Sequence, residues 1–359
     1  MTIAVKISTS SLDSNLNNDF NYHCFSVLAK LHPEVKFIFI AEAAINTNSI
    51  SQSNVTTVIT GPQIKNMLLA HYWYSFKLPA ILNKYNADYF FSDYFFCNLK
   101  SNTKQIIRAN NDVFLKSGRG RKFALKSDYI IASNEYVKKT IDDKFPLLKN
   151  KTIVIQHGTD NKFEHLEYSQ KESIKSLYSD GVDYFLLYGK GETNEKIIMT
   201  LRAFSVFKKW QKSNMKLLII INEKQETDLS KNLSNYKFKD DVKLISDAPE
   251  IDLISIAAAS YTSIFIDDDL LVQKNMLDAL TMNIPIILPD HDYFHSSFSN
   301  AALYGVESEK TLSKNMILLY KDENHRNQLI EAGKLLVECL DWNIIVSKLW
   351  RTIIESTET

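Results

Sequence analysis

Three consecutive aspartates, Asp267, Asp268 and Asp269, are the residues whose spacing points most directly to chemistry. They follow the apolar stretch YTSIFI, residues 261–266, which has the composition of a buried strand. Carboxylates at the mouth of a buried strand raise the free energy of the fold unless water or a ligand reaches them. Three interpretations stay open: a solvated strand end in which Asp269 caps the next helix, contacts to the hydroxyl or phosphate groups of a ligand, and a metal site.

A basic stretch, LKSGRGRKFALKSD at residues 115–128, is the second group with chemical potential. It gathers five cations around two glycines: Lys116, Arg119, Arg121, Lys122 and Lys126. One interpretation is a mobile, solvated loop. The other is a patch over residues 116–126 that meets anionic lipid or a lipid-diphosphate acceptor, since each basic residue near an acidic surface contributes about 1 kcal/mol.

Two further clusters combine aromatic residues and histidines. HYWYSF, residues 71–76, reads most simply as core, although its tyrosines could also stack on sugars or lie at a membrane face. His291 and His295 are four residues apart, the spacing of a helical metal-ligand pair. Because Pro289 and the serines of this stretch argue against a helix, we expect no metal-binding pair there.

The composition excludes several classes of protein. Lys plus Arg and Asp plus Glu are equal at 42 each, so no overall field attracts nucleic acid or an anionic bilayer, and any basic surface must be local. The three cysteines, Cys24, Cys97 and Cys339, are far apart and lack metal-ligand spacing, which favours a reducing compartment. No run of eighteen apolar residues occurs, and the first residues lack the apolar core of a signal peptide. We therefore expect a cytoplasmic protein.

The elements that would position these groups alternate along the chain. Apolar runs predict strands in both halves: TIAVKI, VKFIFIA, TTVIT, ADYFFSD, KQIIRA, DYIIAS, KTIVIQHG, DYFLLYG, MKLLIIIN, DVKLIS, YTSIFI and IPIILPD. Between them lie helical patterns, such as the one that places Ile197, Leu201 and Phe204 on one face. Apolar runs without strict alternation are typical of parallel strands covered by helices on both faces. The pattern predicts α/β domains with doubly wound sheets.

The length of 359 residues favours two domains. The polar stretch at 164–183 is the natural boundary, and we predict domains at 1–175 and 176–340. Residues 341–359 form an amphipathic helix with Trp342 and Leu349 on its apolar stripe, and such a helix needs a surface to cover.

Taken in series, five segments resemble the GT-B glycosyltransferases of retaining family 4. They are SDYIIASNEYVKKTI followed by KTIVIQHGTDNKF, then YGKGETNEKIIMTLRAF, APEIDLISIAAASYTSIFIDDD, MLDALTMNIPIILPD and LDWNIIVSKLW. Each alone is a generic α/β fragment, but they occur in the family's order over nearly the whole chain. The resemblance implies two Rossmann-like domains facing across a cleft, with the C-terminal helix crossing back to the N-terminal domain.

The resemblance also implies an activity: transfer of a hexose from a nucleoside-diphosphate sugar to a glycan or lipid-linked acceptor, in cell-surface polysaccharide synthesis. Residues 1–175 would be the acceptor side and residues 176–340 the nucleotide-sugar domain. The configuration at the sugar would be retained, and no cofactor or metal would be required. The basic patch at 116–126 would give peripheral contact with the inner face of the membrane.

The donor site of the family maps onto altered residues here. Lys190 follows Gly189 where the family has an arginine, and the family's lysine position falls on Glu195, one residue before Lys196. Because neighbouring helical residues point roughly 100° apart, Glu195 and Lys196 cannot both face the ligand. Surface lysines are the alternative interpretation for Lys190 and Lys196.

The family's two donor acids are also altered. Asp278 occupies the place of the second, and Leu270 occupies the place of the first, so Asp269 would substitute for it by a one-residue shift. The family's glycine loop is absent between these positions. Asp278 has a plainer interpretation as part of the polar face of its helix.

The N-terminal half departs further from the family. Its first strand is followed by STSSLDSNLNNDF instead of a glycine-rich loop. The acceptor-side His-Asp pair appears as Asn111 and Asp112, which makes Asp112 the catalytic candidate. Two other functions stay open: a catalytically inactive GT-B homologue that acts as a binding or scaffold protein, and a metal-dependent GT-A-like transferase that uses Asp267 and Asp269.

Overall fold

The computed structural model describes residues 1–7, 20–42, 52–61, 67–92, 96–110, 113–159, 166–190, 192–246, 249–266 and 273–358. The chain divides into two compact units. The first unit contains Met1–Gly158 and Trp342–Thr359, and the second contains Thr159–Asp341.

The first unit is built on a sheet of seven parallel strands. The strands are β1 (Thr2–Lys6), β2 (Lys36–Ala41), β3 (Val55–Ile59), β4 (Tyr89–Ser92), β5 (Lys104–Ala109), β6 (Tyr129–Ala132) and β7 (Thr152–Val154). Their order across the sheet is β3-β2-β1-β4-β5-β6-β7. The described helices before the unit boundary are α1 (Phe20–Leu31), α2 (Met67–Tyr72), α3 (Leu78–Lys84), α4 (Gly118–Lys126) and α5 (Glu135–Lys144), and a π-helical turn (Trp73–Lys77) joins α2 to α3.

The second unit is built on a sheet of six parallel strands. The strands are β8 (Tyr184–Tyr188), β9 (Lys216–Ile220), β10 (Val242–Ile245), β11 (Thr262–Phe265), β12 (Ile286–Leu288) and β13 (Ala302–Tyr304). Their order is β10-β9-β8-β11-β12-β13. The described helices are α6 (Tyr168–Ser179), α7 (Asn194–Gln211), α8 (Glu223–Ser234), α9 (Glu250–Ala258), α10 (Gln273–Thr281), α11 (Asp292–Phe298), α12 (Glu309–Lys321) and α13 (Glu323–Cys339).

Both sheets have the doubly wound order of the Rossmann fold, in which the fourth strand lies beside the first. The reversal falls between β1 and β4 in the first unit and between β8 and β11 in the second. In such sheets, ligands bind outside the carboxyl ends of the strands at this switch point. The topology therefore directs the search for a site to the residues that follow these four strands.

The last helix, α14 (Trp342–Glu358), belongs to the first unit and packs on α1. Two histidine rings stack on its tryptophans: His23 of α1 on Trp342, with centroids 4.0 Å apart, and His32, the residue after α1, on Trp350, with centroids 3.7 Å apart. The predicted stripe on this helix is buried, with Leu349 wholly enclosed. The helix thus covers α1, as the resemblance implied for the C-terminal segment.

Gly158 shows why the chain needs a glycine where it leaves the first unit. A Cβ atom at this position would lie 2.3 Å from Cδ2 of Trp342. Side chains essentially never approach so closely, and the indole ring is a rigid body. The observed position of the Trp342 ring therefore requires glycine at position 158.

The unit boundary differs from the sequence-based boundary after residue 175. Helix α6 begins at Tyr168 and belongs to the second unit. Its N-terminus is a capping box in which Glu167 and Gln170 satisfy each other's backbone amides. The polar stretch at 164–183 contains a well-formed helix, so its polarity reflects an exposed helix face.

None of the helices formed by the described residues combines the length and apolar composition needed to cross a membrane.

Candidate functional site

The carboxyl ends of β8 and β11 are joined by an aromatic pair. Phe265 and Tyr188 are register partners in the sheet, and their rings stack with centroids 4.4 Å apart and planes 13° apart. Burial, together with the nearby carboxylate of Asp278, raises the pKa of the Tyr188 phenol. The stacked rings of Tyr188 and Phe265 therefore lie at the switch point, with Asp278 close to Tyr188.

Gly189 begins the turn that leaves β8. Its N–H donates to the carbonyl of Ile220 at 2.9 Å, which continues the sheet by one residue. A Cβ atom here would lie 3.1 Å from Cδ1 of Ile197, so a larger residue would push on the core of α7. Lys190, the next residue, is exposed.

Gln225 clamps the loop between β8 and α7. Its Nε2 donates to the carbonyl of Gly189 at 3.0 Å and to the carbonyl of Glu192 at 2.7 Å. Gln225 is itself held by a capping box with Asn222 at the start of α8. The carbonyls of Gly189 and Glu192 are thus held from the neighbouring strand connection, which pre-orders these two residues for a ligand.

Lys196 reaches over the end of β11. Its Nζ donates to the carbonyl of Ile266 at 3.1 Å and lies 2.9 Å from Oε2 of Glu192, whose side chain is only 6% exposed. Glu195 is exposed. Of the two adjacent residues, the lysine and not the glutamate faces the strand end, so the one-residue offset from the family pattern places a cation there.

Asp278 lies in the middle of α10 and is largely buried, with a side chain 16% exposed. Lys274, one turn earlier, donates to its Oδ2 at 2.7 Å. Lys274 is in the first turn of α10, where the helix dipole disfavours a cation, and the Asp278 carboxylate offsets that cost. The pair is an ammonium and a carboxylate held together beside Tyr188.

The structure thus places Gly189 and Lys190 after β8, Lys196 at the carboxyl end of the neighbouring β11, and Asp278 near Tyr188 of β8. Two other predicted site residues, Asp269 and Asp112, lie outside the described residues, as do Asp267 and Asp268.

Four residues of the site were missed by the sequence reasoning: Tyr188, Glu192, Gln225 and Lys274. Two signals could have found three of them. Glu192 with Lys196, and Lys274 with Asp278, have the four-residue spacing of helical ion pairs. Asn222 followed by Gln225 has the spacing of a capping box.

Two sequence-based interpretations are wrong. Residues 118–126 form the helix α4 and not a mobile loop. Ser117 caps this helix, because its hydroxyl accepts a hydrogen bond from the amide of Gly120 at 3.0 Å. Residues 292–298 form α11 despite Pro289, because the chain turns before the helix and His291 caps it. His295 pairs with Asp290 at 2.8 Å. Within the described ranges, no three His, Cys, Asp or Glu residues are placed to hold a metal ion.

In the first unit, a buried ion pair lies at the carboxyl ends of β1 and β2. Lys6 ends β1 and is 1% exposed, and its Nζ lies 3.0 Å from Oε1 of Glu42, which follows β2. The same ammonium donates to the carbonyl of Ile7 at 2.6 Å and lies 5.5 Å from the ring centroid of Trp73. Asn21 of α1 donates to the Lys6 carbonyl at 3.0 Å. This network fixes the direction in which the chain leaves β1.

Comparison with solved structures identifies the fold. A glycosyltransferase from Rickettsia africae has a TM-score of 0.75 at 14% identity, over 99% of this chain and 98% of that chain. Anabaena HepE in complex with UDP-glucose has a TM-score of 0.69 at 10% identity, over 99% and 100%. A putative UDP-N-acetylglucosamine 2-epimerase from Listeria monocytogenes has a TM-score of 0.68 at 10% identity, over 99% and 96%.

No protein-family model matches the sequence, and no curated protein matches it. The structural likeness, together with two parallel sheets of Rossmann order, confirms the predicted GT-B fold. At these identities the likeness establishes the architecture, and because one fold hosts several reactions, function has to be argued from the site.

Proposed function

We propose that the protein transfers a hexose from a nucleoside-diphosphate sugar to a glycan or lipid-linked acceptor, and that the donor binds at the switch point of the second unit. The observation that carries the proposal is the ammonium of Lys196, held 3.1 Å from the Ile266 carbonyl at the carboxyl end of β11. A cation fixed at this edge of a Rossmann-order sheet suits the diphosphate of a nucleotide. UDP-glucose in the Anabaena neighbour supports this donor class.

In the proposed reaction, the bond between the anomeric carbon and the diphosphate oxygen breaks, and the acceptor oxygen bonds to that carbon. The proton of the acceptor hydroxyl passes to the departing diphosphate. Negative charge grows on the departing diphosphate, and Lys190 and Lys196 would stabilise it. The backbone of Gly189 would lie along the phosphates, and Asp278 would accept hydrogen bonds from ribose or sugar hydroxyls. Asp269 completes the proposed donor contacts.

The acceptor side is proposed to lie in the first unit, with Asp112 as the catalytic group. We place the protein in the cytoplasm at the inner face of the membrane, where it would act in cell-surface polysaccharide synthesis. The reaction would retain the configuration of the sugar and require no metal. Helix α4 supports the membrane contact because its exposed residues include Arg119, Arg121 and Lys122.

A catalytically inactive GT-B homologue is the second candidate, and a specific observation favours it. The Lys196 ammonium is already paired with Glu192 at 2.9 Å, so a diphosphate must compete with a carboxylate. Analysis of the products formed from labelled sugar nucleotides separates the candidates: a transferase moves the sugar, an epimerase changes it, and a binding protein leaves it intact.

The GT-A-like plan does not suit the observed GT-B topology.

Nucleoside diphosphates are expected to raise the melting temperature, because a ligand that binds only the folded state stabilises it. At a concentration ten times Kd, linkage gives about 1.4 kcal/mol, or roughly 3–5 °C for a unit of this size. Lys190→Ala should abolish the shift because it removes one of the two diphosphate cations. The measurement is a thermal-shift series with UDP, GDP, ADP and dTDP.

Lys209→Ala is the matched control for Lys190→Ala, since Lys209 is an exposed lysine near the far end of α7. It should keep the full shift. If no nucleotide stabilises the wild-type protein at millimolar concentration, the donor site proposed here does not exist.

A further inference from the structure

The segment from α2 to α3 in the first unit is apolar on both of its faces. Its inner face packs on the sheet through Trp73, Tyr74 and Leu78, all at most 3% exposed. Its outer face exposes a second set of large apolar side chains, which the fold itself does not bury. A helix that connects strands in a soluble domain ordinarily keeps its outer face polar.

Leu68, Tyr72 and Phe76 form this outer set, which we call the exposed ridge. They are 81%, 42% and 67% exposed, and their four-residue spacing places them in one row. The rings of Tyr72 and Phe76 are 5.7 Å apart. Contiguous exposed apolar groups of this kind mark an interaction surface.

The two chain segments that contain the ridge and α4 carry charge of one sign. Residues 67–84 contain no Asp or Glu and include Lys77 and Lys84. Residues 113–126, which include α4, also contain no acid and carry five basic residues. In a chain whose charges balance at 42 each, this is a strong local asymmetry.

Helix α4 is joined through one aromatic residue to the segment that carries the exposed ridge. Phe96 lies between them, stacked on Tyr74 at 5.1 Å and 5.4 Å from the ring of Phe123 in α4. The connections that contain the two helices, from β3 to β4 and from β5 to β6, both run toward the β7 edge of the sheet. Right-handed crossovers in the same direction place their helices on the same face.

We propose that the exposed ridge and α4 together seat the first unit on an anionic bilayer, with the ridge inserted at the boundary between headgroups and acyl chains. Aromatic and leucine side chains beside lysine and arginine are the composition of interfacial helices. The ridge supplies apolar insertion, and the cations of α4 supply attraction to acidic headgroups. The inference deepens the proposed membrane contact and rests on the lipid-linked acceptor of the proposed function.

The test is co-sedimentation with vesicles of 30% phosphatidylglycerol in phosphatidylcholine, compared with pure phosphatidylcholine. The wild-type protein should bind the anionic vesicles. Leu68→Gln with Phe76→Gln should weaken that binding roughly tenfold or more, because these two side chains are the most exposed of the ridge. Leu31→Gln with Ile344→Gln is the matched control, at residues 61% and 42% exposed in α1 and α14, and should bind as wild type.

A second measurement reports insertion directly. In Phe76→Trp, the emission of the new tryptophan should shift to the blue with anionic vesicles and be quenched by brominated lipid. Arg119→Gln with Lys122→Gln should weaken binding and flatten its salt dependence, since salt screens exposed charges.

Unchanged binding by the ridge variant, or unchanged emission from Trp introduced at position 76, would overturn the inference. So would a wild-type dimer that the ridge variant converts to monomer, because a second copy would then cover the ridge. The nucleotide thermal shift, measured on the same ridge variant, should equal that of the wild type. A protein that binds nucleotide but no vesicle would leave the donor proposal standing and refute this one.

Discussion

Lys196→Met is expected to lower kcat for donor turnover about 100- to 1,000-fold, the range found when one preorganised charge-stabilising donor is removed. The ammonium is fixed by Glu192 and the Ile266 carbonyl before any ligand arrives, so it needs little reorganisation when charge grows on the leaving diphosphate. Methionine keeps the length of the side chain and removes the charge. Turnover is measured as UDP released from UDP-glucose.

Two further variants make the result specific. Lys209→Met, near the far end of the same helix, should leave kcat within twofold of wild type because its side chain is exposed and distant in sequence from the strand end. Lys196→Arg should retain part of the activity because it keeps the charge but changes the geometry. If Lys196→Met turns over donor like the wild type, the lysine has no role in the reaction.

Glu42→Met is expected to reduce the free energy of unfolding by about 3–5 kcal/mol, because it leaves the buried ammonium of Lys6 without its carboxylate. The side chains of Lys6 and Glu42 are 1% and 4% exposed, so water cannot replace the lost partner. The melting temperature of the first unit should fall by roughly 10 °C. Denaturant titration followed by circular dichroism measures the change.

The double variant Lys6→Met with Glu42→Met is the control, since it replaces a buried ion pair by apolar groups of similar volume. Such replacements are often neutral or stabilising, so the double variant should recover most of the loss. A double variant that is as unstable as the sum of both single variants would show that the two charges act independently.

The strands could be predicted from the sequence because apolar composition alone specifies a parallel strand that is buried on both faces. Twelve of the thirteen strands among the described residues lie within or overlap a predicted run; β3 overlaps its run but begins one residue before it, at Val55. The exception, β13 (Ala302–Tyr304), is three residues long at the edge of its sheet, with two of them only partly buried. The apolar run that contains it, AALY at residues 301–304, is only four residues long and is easily missed.

The candidate site was harder to predict than the fold. Whether Glu195 or Lys196 faces the strand end depends on where α7 begins, and helix ends are uncertain by one or two residues from sequence. In the structure, α7 begins at Asn194 and Lys196 bonds to Ile266, a residue 70 positions away. No local pattern encodes such a contact, because it depends on the register of two neighbouring strands.

The capping residues show the same division between local and long-range information. The interaction between Asn222 and Gln225 is local and could have been recognised, but the clamp that Gln225 places on Gly189 joins two strand connections. Predicting it requires knowing that β8 and β9 are neighbours. The sequence thus contains the helix start, and the tertiary fold gives that start its role in the site.

The central claim is that a nucleoside diphosphate binds at the carboxyl ends of β8 and β11. Hydrogen–deuterium exchange with and without millimolar UDP tests it most directly. We predict slower exchange in peptides that cover 188–197 and 273–278, with little change in the first unit beyond its acceptor side. Protection confined to the first unit, or no change in any peptide between 184 and 281, would contradict the claim.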